Sequence, residues 1–120
     1  GVSSVQERKA QAALEELRRA YTERDLNGFF EKVSEGAYFN SLDLKLNLSR
    51  TFSAISQIDL NIFVDQVLME NDKVLLKVHW QKRAVNNENG RLQITQGEAQ
   101  FLFKVNESAQ LSDVKGSSPF

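Results

Sequence analysis

The sequence predicts an α+β fold: N-terminal helices packed on the concave face of a curved antiparallel sheet of four strands or slightly more, cone-like, in one domain over residues 1–120. Three observations predict it. Apolar residues in the first half recur at three- and four-residue steps, the period of a helix with one buried stripe. From Ser56 onward the period changes to two, that of strands with one buried face. The alternation then slips twice: Val64 and Val67 are apolar but three apart, and Ile94 and Gly97 repeat the slip. Bulges near Asp65-Gln66 and Thr95-Gln96 would bend the sheet around the helices.

The first helix is expected over Ser3 to Arg24, with Ser4 and Glu7 as a capping box and Ala10, Ala13, Leu14, Leu17, Ala20 and Tyr21 as its apolar stripe. The run "RDLNGFF" breaks it, and Asp25 is placed to cap a second helix from Leu26 to Val33 that Gly36 ends. The segment "LDLKLNL" alternates like a strand, yet Leu44, Leu48, Thr51, Phe52 and Ile55 also make a helical stripe. The reading adopted is an extended piece at Ala37–Asn40 followed by a helix from Leu42 to Ala54.

Ile58, Leu60 and Ile62 define the inward phase of the first strand, Val74, Leu76, Val78 and Trp80 that of the second, and Ala99, Phe101 and Phe103 that of the third. Turn signals at Asn71-Asp72, "NNENG" and "NESAQ" make the strands a meander, and a last strand is expected from Leu111 to Ser117. Register follows from the turns and the apolar face. It sets Asp65 opposite Lys77, Phe63 opposite His79 and Asp59 opposite Arg83; on the next pair it sets Trp80 opposite Gly97, His79 opposite Glu98 and Lys77 opposite Gln100.

A chain of 120 residues with 41% hydrophobic and 26% charged side chains can bury a core in one domain. The net charge of −1, with basic and acidic residues interspersed, speaks against nucleic acid as a partner. No apolar run is long enough for a membrane span. Without cysteine there is no disulfide, thiolate chemistry or thiolate-bound metal, and one histidine among scattered carboxylates makes no metal site, so neither cofactor nor metal is expected. The chain begins Gly-Val rather than Met; an exported protein whose signal segment has been removed and a cytoplasmic one both fit.

The stretch "VLLKVHWQKR" holds the only histidine beside the only tryptophan. Parity turns Trp80 inward and His79 outward, among Phe63, Lys77, Gln81 and Glu98. Acid–base work needs a sheltered site that positions a substrate, and an outer sheet face gives none. His79 therefore reads as a surface residue paired with Glu98. Phe63, Leu75 and Leu102 share its face, and with His79 they mark a candidate homodimer surface.

The segment "LEELRRAYTERDLNGFFEKVSEGAYF", Leu14 to Phe39, resembles the opening of the nuclear transport factor 2-like superfamily, which includes SnoaL-like cyclases and ketosteroid isomerases. The later order of a third helix and four curved strands is similar to that superfamily as well. The resemblance implies a cystatin-like α+β cone with a pocket between sheet and helices, and frequent dimers. In its enzyme branches a pocket Asp or His acts as base while a Tyr or an acid donates to an oxyanion. The inward strand positions here are all apolar, which departs from that pattern.

The polar candidates for a pocket mouth are Tyr21, Tyr38, Asn40, Arg50, Ser53 and Lys82, above a floor that includes Trp80 and Phe101. Four of them have a plainer role: Tyr21 and Tyr38 as amphipathic core-edge residues, Arg50 as a snorkelling helix residue, Lys82 reaching water from a strand end. Together Arg50 and Lys82 would attract a carboxylate. Two functions stay open: a non-enzymatic domain that binds a small apolar or carboxylate ligand or a protein, and a SnoaL-like isomerase or cyclase with Asp43 or Asp25 as pocket base. A third outcome is a cone filled by Phe29, Phe30, Phe39, Phe52, Phe101, Phe103 and Trp80, which would leave only surface contacts.

Overall fold

The computed structural model describes residues 2–120, with side chains from residue 4 onward. Three helices precede four strands: α1 (Val2–Thr22), α2 (Leu26–Phe30), α3 (Ser41–Ala54), β1 (Ile55–Glu70), β2 (Lys73–Asn86), β3 (Leu92–Val105) and β4 (Ala109–Gly116). The strands form one antiparallel sheet in the order β1-β2-β3-β4. This is the expected α+β architecture, with the helices on one face of a curved sheet.

α1 begins at Val2, so Ser4 lies inside the helix and the expected capping box is not its start. Its buried stripe is the one the spacing predicts, Ala10, Ala13, Leu14, Leu17, Ala20 and Tyr21. The helix ends two residues early, at Thr22. Arg24 takes φ 58°, and the N–H groups of Arg24 and Asp25 donate back to the carbonyls of Tyr21 and Ala20 at 3.2 and 2.8 Å. That closing pattern satisfies the last carbonyls of the helix.

Asp25 caps α2 as expected, accepting from the Gly28 N–H at 3.0 Å. The helix stops at Phe30 rather than Val33, and Gly36 has no part in ending it. The chain leaves because a better partner for its backbone lies alongside. Val33 bridges Leu111 of β4, with Ser34 N–H donating to the Leu111 carbonyl at 2.8 Å and Leu111 N–H to the Lys32 carbonyl at 2.6 Å. Residues 32–38 thus cover the edge of β4, and Ala37–Asn40 is a bend rather than an extended strand. Asn40 caps α3, accepting from the Asp43 N–H.

The inward phase of the strands is the core. Leu60, Val74, Leu76, Phe101 and Phe103 are fully buried, and Ile58, Val78, Trp80 and Ala99 nearly so. The bulge near Asp65 is present, but Gln66, not Asp65, faces Lys77; Asp65 is the extra residue between the Val64–Val78 and Gln66–Lys77 pairs. The bulge expected near Thr95-Gln96 is absent, since β2 and β3 pair without interruption from Lys73–Lys104 to Val85–Leu92. A second interior bulge lies in β4 instead. Leu102 faces Asp113 and Phe103 faces Leu111, which leaves Ser112 as the extra, buried residue. Ser112 uses its carbonyl to accept from the Tyr38 N–H at 2.8 Å. The other expected pairs are in place: Phe63–His79, Asp59–Arg83, Trp80–Gly97, His79–Glu98 and Lys77–Gln100. β4 starts at Ala109 and ends at Gly116, earlier at both ends than the Leu111–Ser117 expected.

Candidate functional site

The concave face is apolar along its length and meets its first polar groups at one end, where α1, β2 and the last residues of the chain converge. Lys82 continues the inward phase of Val74, Leu76, Val78 and Trp80, so its side chain enters the cone from the end of β2. Its ammonium donates to the phenol oxygen of Tyr21 at 3.0 Å and to the carbonyl of Pro119 at 2.7 Å. It also lies 5.3 Å from the Tyr21 ring and 5.7 Å from the Trp80 ring, within cation–π range of both. Among the described residues no Asp or Glu pairs with it. Burial holds the Lys82 ammonium below the usual lysine range and pushes the Tyr21 phenol up to about 12.

Four of the expected pocket residues therefore form one constellation. Tyr21, Trp80 and Lys82 meet around the cation, and Phe101 lies on the same floor. Residues 117–120 close it. The indole N–H of Trp80 donates to the Ser117 carbonyl at 2.7 Å. Pro119 is fully buried. The ring of Phe120 sits 5.0 Å from Phe29, 5.2 Å from Tyr21 and 5.7 Å from Phe101. Sequence reasoning missed Ser117, Pro119 and Phe120, although the sole proline followed by an aromatic is the one apolar signal after β4.

The other expected pocket residues lie elsewhere. Tyr38 is 69% exposed on the bend before α3, with the Lys73 ammonium 5.7 Å from its ring. Arg50 and Ser53 line an open groove of about 560 Å³ between the end of α3 and the β2–β3 turn, with Asn86, Asn87 and Glu88. A separate apolar groove of about 340 Å³ runs between the start of α3 and β4, bounded by Phe39, Leu44, Leu111, Val114 and Phe120. It leads to the ring of Phe120 from outside. Asp43 lies on that rim, and Asp25 is spent on its cap; both are exposed, and neither reaches the Lys82 cluster.

The outer face carries the four expected dimer residues. Phe63 is half exposed and stacks on the His79 ring at 4.9 Å with 16° between planes. The His79 partner is Asp65 rather than Glu98: the bulge turns its carboxylate onto Nδ1, at 2.7 and 2.9 Å to its two oxygens. Leu75 and Leu102 are adjacent in the ladder and half-buried, and Leu68, 40% exposed, extends them to a row of three. Among the described residues no cluster of three metal-ligating side chains occurs. No described helix is long and apolar enough to cross a membrane.

No protein-family profile matches the chain, and no curated protein matches it. Solved structures do. A nuclear transport factor 2-like superfamily protein from Salmonella enterica superposes with TM-score 0.79 at 14% identity, over 100% of this chain and 94% of that one. A ketosteroid isomerase-like protein from Erwinia carotovora gives 0.74 at 14% identity, over 92% and 95%. A conserved protein from Planctomyces limnophilus gives 0.84 at 10%, over 95% and 99%. The chain has the nuclear transport factor 2-like fold, and at these identities the likeness is one of fold.

Proposed function

We propose that this chain is a non-enzymatic binding domain. Its ligand is small and amphipathic, an apolar body with a carboxylate or similar acceptor, held between helices and sheet at Lys82 and Tyr21. One observation carries the reading. A partly buried cation beside Tyr21 and Trp80 has no acidic partner among the described residues, and its hydrogen bonds go to neutral oxygens. An unneutralised charge in such a place is costly to stability and is relieved by an anionic ligand. The apolar strands around it supply the hydrophobic lining that ligand sites favour. The isomerase-like reading needs a base beside the cation, and Asp25 and Asp43 do not supply one.

The test is calorimetry with aryl and medium-chain carboxylates and their neutral amides. Saturable binding of carboxylates at one per chain, with amides weaker, is the expected result. Absence of heat from every carboxylate would overturn the reading.

The outer sheet face supports a second, compatible role in self-association. Leu68, Leu75 and Leu102 make an apolar row across three strands, with Phe63 and His79 beyond the polar row of Gln66, Lys77 and Gln100. A dimer through this face would cover the apolar row. Sedimentation at high concentration decides it: a monomer mass rejects the dimer.

A further inference from the structure

We propose that residues 117–120 are an internal occupant of the Lys82–Tyr21 site, a plug that competes with the ligand and whose own shape describes that ligand as an arylalkyl carboxylate. The inference rests on the site proposed above. The segment is steered there by its backbone. Gly116 takes φ 81°, and a Cβ on it would stand 2.8 Å from the Glu98 carbonyl, so only glycine makes this turn off the sheet edge. Ser117 N–H then donates to that carbonyl at 2.9 Å. Gly97 opens the space beneath, where a Cβ would meet the Ser117 Oγ at 3.0 Å.

Once seated, the segment offers what a ligand would offer. The Pro119 carbonyl accepts from Lys82, and four covalent bonds separate that carbonyl carbon from the Phe120 ring packed on Phe29, Tyr21 and Phe101. The same four bonds separate carboxyl carbon and ring in 4-phenylbutyrate. The bond from the Lys82 ammonium to the Pro119 carbonyl is already charge-assisted; a carboxylate in its place adds the attraction of opposite charges. The segment's compensating advantage is tethering, which holds it at high local concentration. Ser117 and Ser118 are exposed, and the apolar groove beside Leu44 and Val114 gives access to the ring.

The experiment follows the single indole N–H resonance of the full chain, the reporter of the Trp80–Ser117 bond, during titration with 4-phenylbutyrate. It is repeated with Phe120→Ala. The expected result is a shifted indole resonance as the ligand binds, and affinity at least tenfold higher for Phe120→Ala, because the competing state is weakened. Hydrogen exchange of wild-type protein without ligand is the second readout. The Trp80 Nε1–H should exchange at least tenfold faster than the Phe101 amide in mid-sheet. Equal affinity of the two chains, or indole exchange as slow as Phe101, overturns the plug and leaves the site standing. Binding by neither chain overturns the site and the competition together.

Discussion

The indole of Trp80 lies directly across β2 and β3 from Gly97, and the missing side chain is what lets it lie there. A Cβ at position 97 would stand 2.9 Å from Cζ2 of the indole and 3.1 Å from the Ser117 Cβ. The pairing therefore fixes the indole and the path of residues 117–120 together. Gly97→Ala should destabilise the fold by about 1–3 kcal/mol, the range for overpacking a filled core. Chemical denaturation measures it, and an unchanged midpoint would mean that the indole and the segment yield freely.

Tyr21 gives the alkaline behaviour. Its pKa is raised from 10.0 to about 12 by burial, so above pH 10 the unfolded chain gives up the phenol proton while the folded chain keeps it. Stability present below pH 10 is then lost as pH rises to about 12, by up to about 3 kcal/mol. Lys82 acts in the opposite sense at lower pH. Its pKa is lowered, so the cost of its buried charge disappears as pH rises towards 10.5. Tyr21→Phe should remove the loss above pH 10.5, read as urea midpoints along a pH series; an equally steep decline in the variant would assign it to other groups.

The cap of α2 is a local matter. Asp25 accepts the Gly28 N–H at 3.0 Å, and Asp25→Ala should cost about 1 kcal/mol by thermal unfolding. A loss near zero would show that residues 26–30 are held by Phe29 packing alone.

The His79–Asp65 pair is well formed but half exposed on both sides. Exposed side-chain pairs of this kind contribute about 0–1 kcal/mol whether or not they are ionic, and His79→Ala should fall in that range in the monomer. A loss that grows with protein concentration would show that a second copy covers this face in solution.

Much of this was legible because it is local. Alternation put Trp80 in and His79 out, and the skip from Val64 to Val67 located the first bulge to within a residue. The Asp65 side chain was not legible: a bulged residue leaves the ladder, so register assigned it to Lys77 while its carboxylate went to His79. The bulge at Ser112 depends on what crosses β4, the backbone of Ser34 and Tyr38, and no pattern within β4 signals that. Arg50 could have been placed from sequence, since it lies out of phase with Leu44, Leu48 and Phe52 on α3 and so faces outward. Residues 117–120 have no periodicity at all. Their place is set by the turn at Gly116 and by the hydrogen bonds of Trp80 and Lys82.

The central claim is that the Lys82 ammonium recognises an acidic ligand inside the cone. The direct measurement is the affinity of 4-phenylbutyrate for Lys82→Met compared with the unaltered chain, by calorimetry at pH 7. Loss of a charge-assisted bond in a sheltered site should weaken binding about tenfold or more. Equal affinity in the two proteins would contradict the claim.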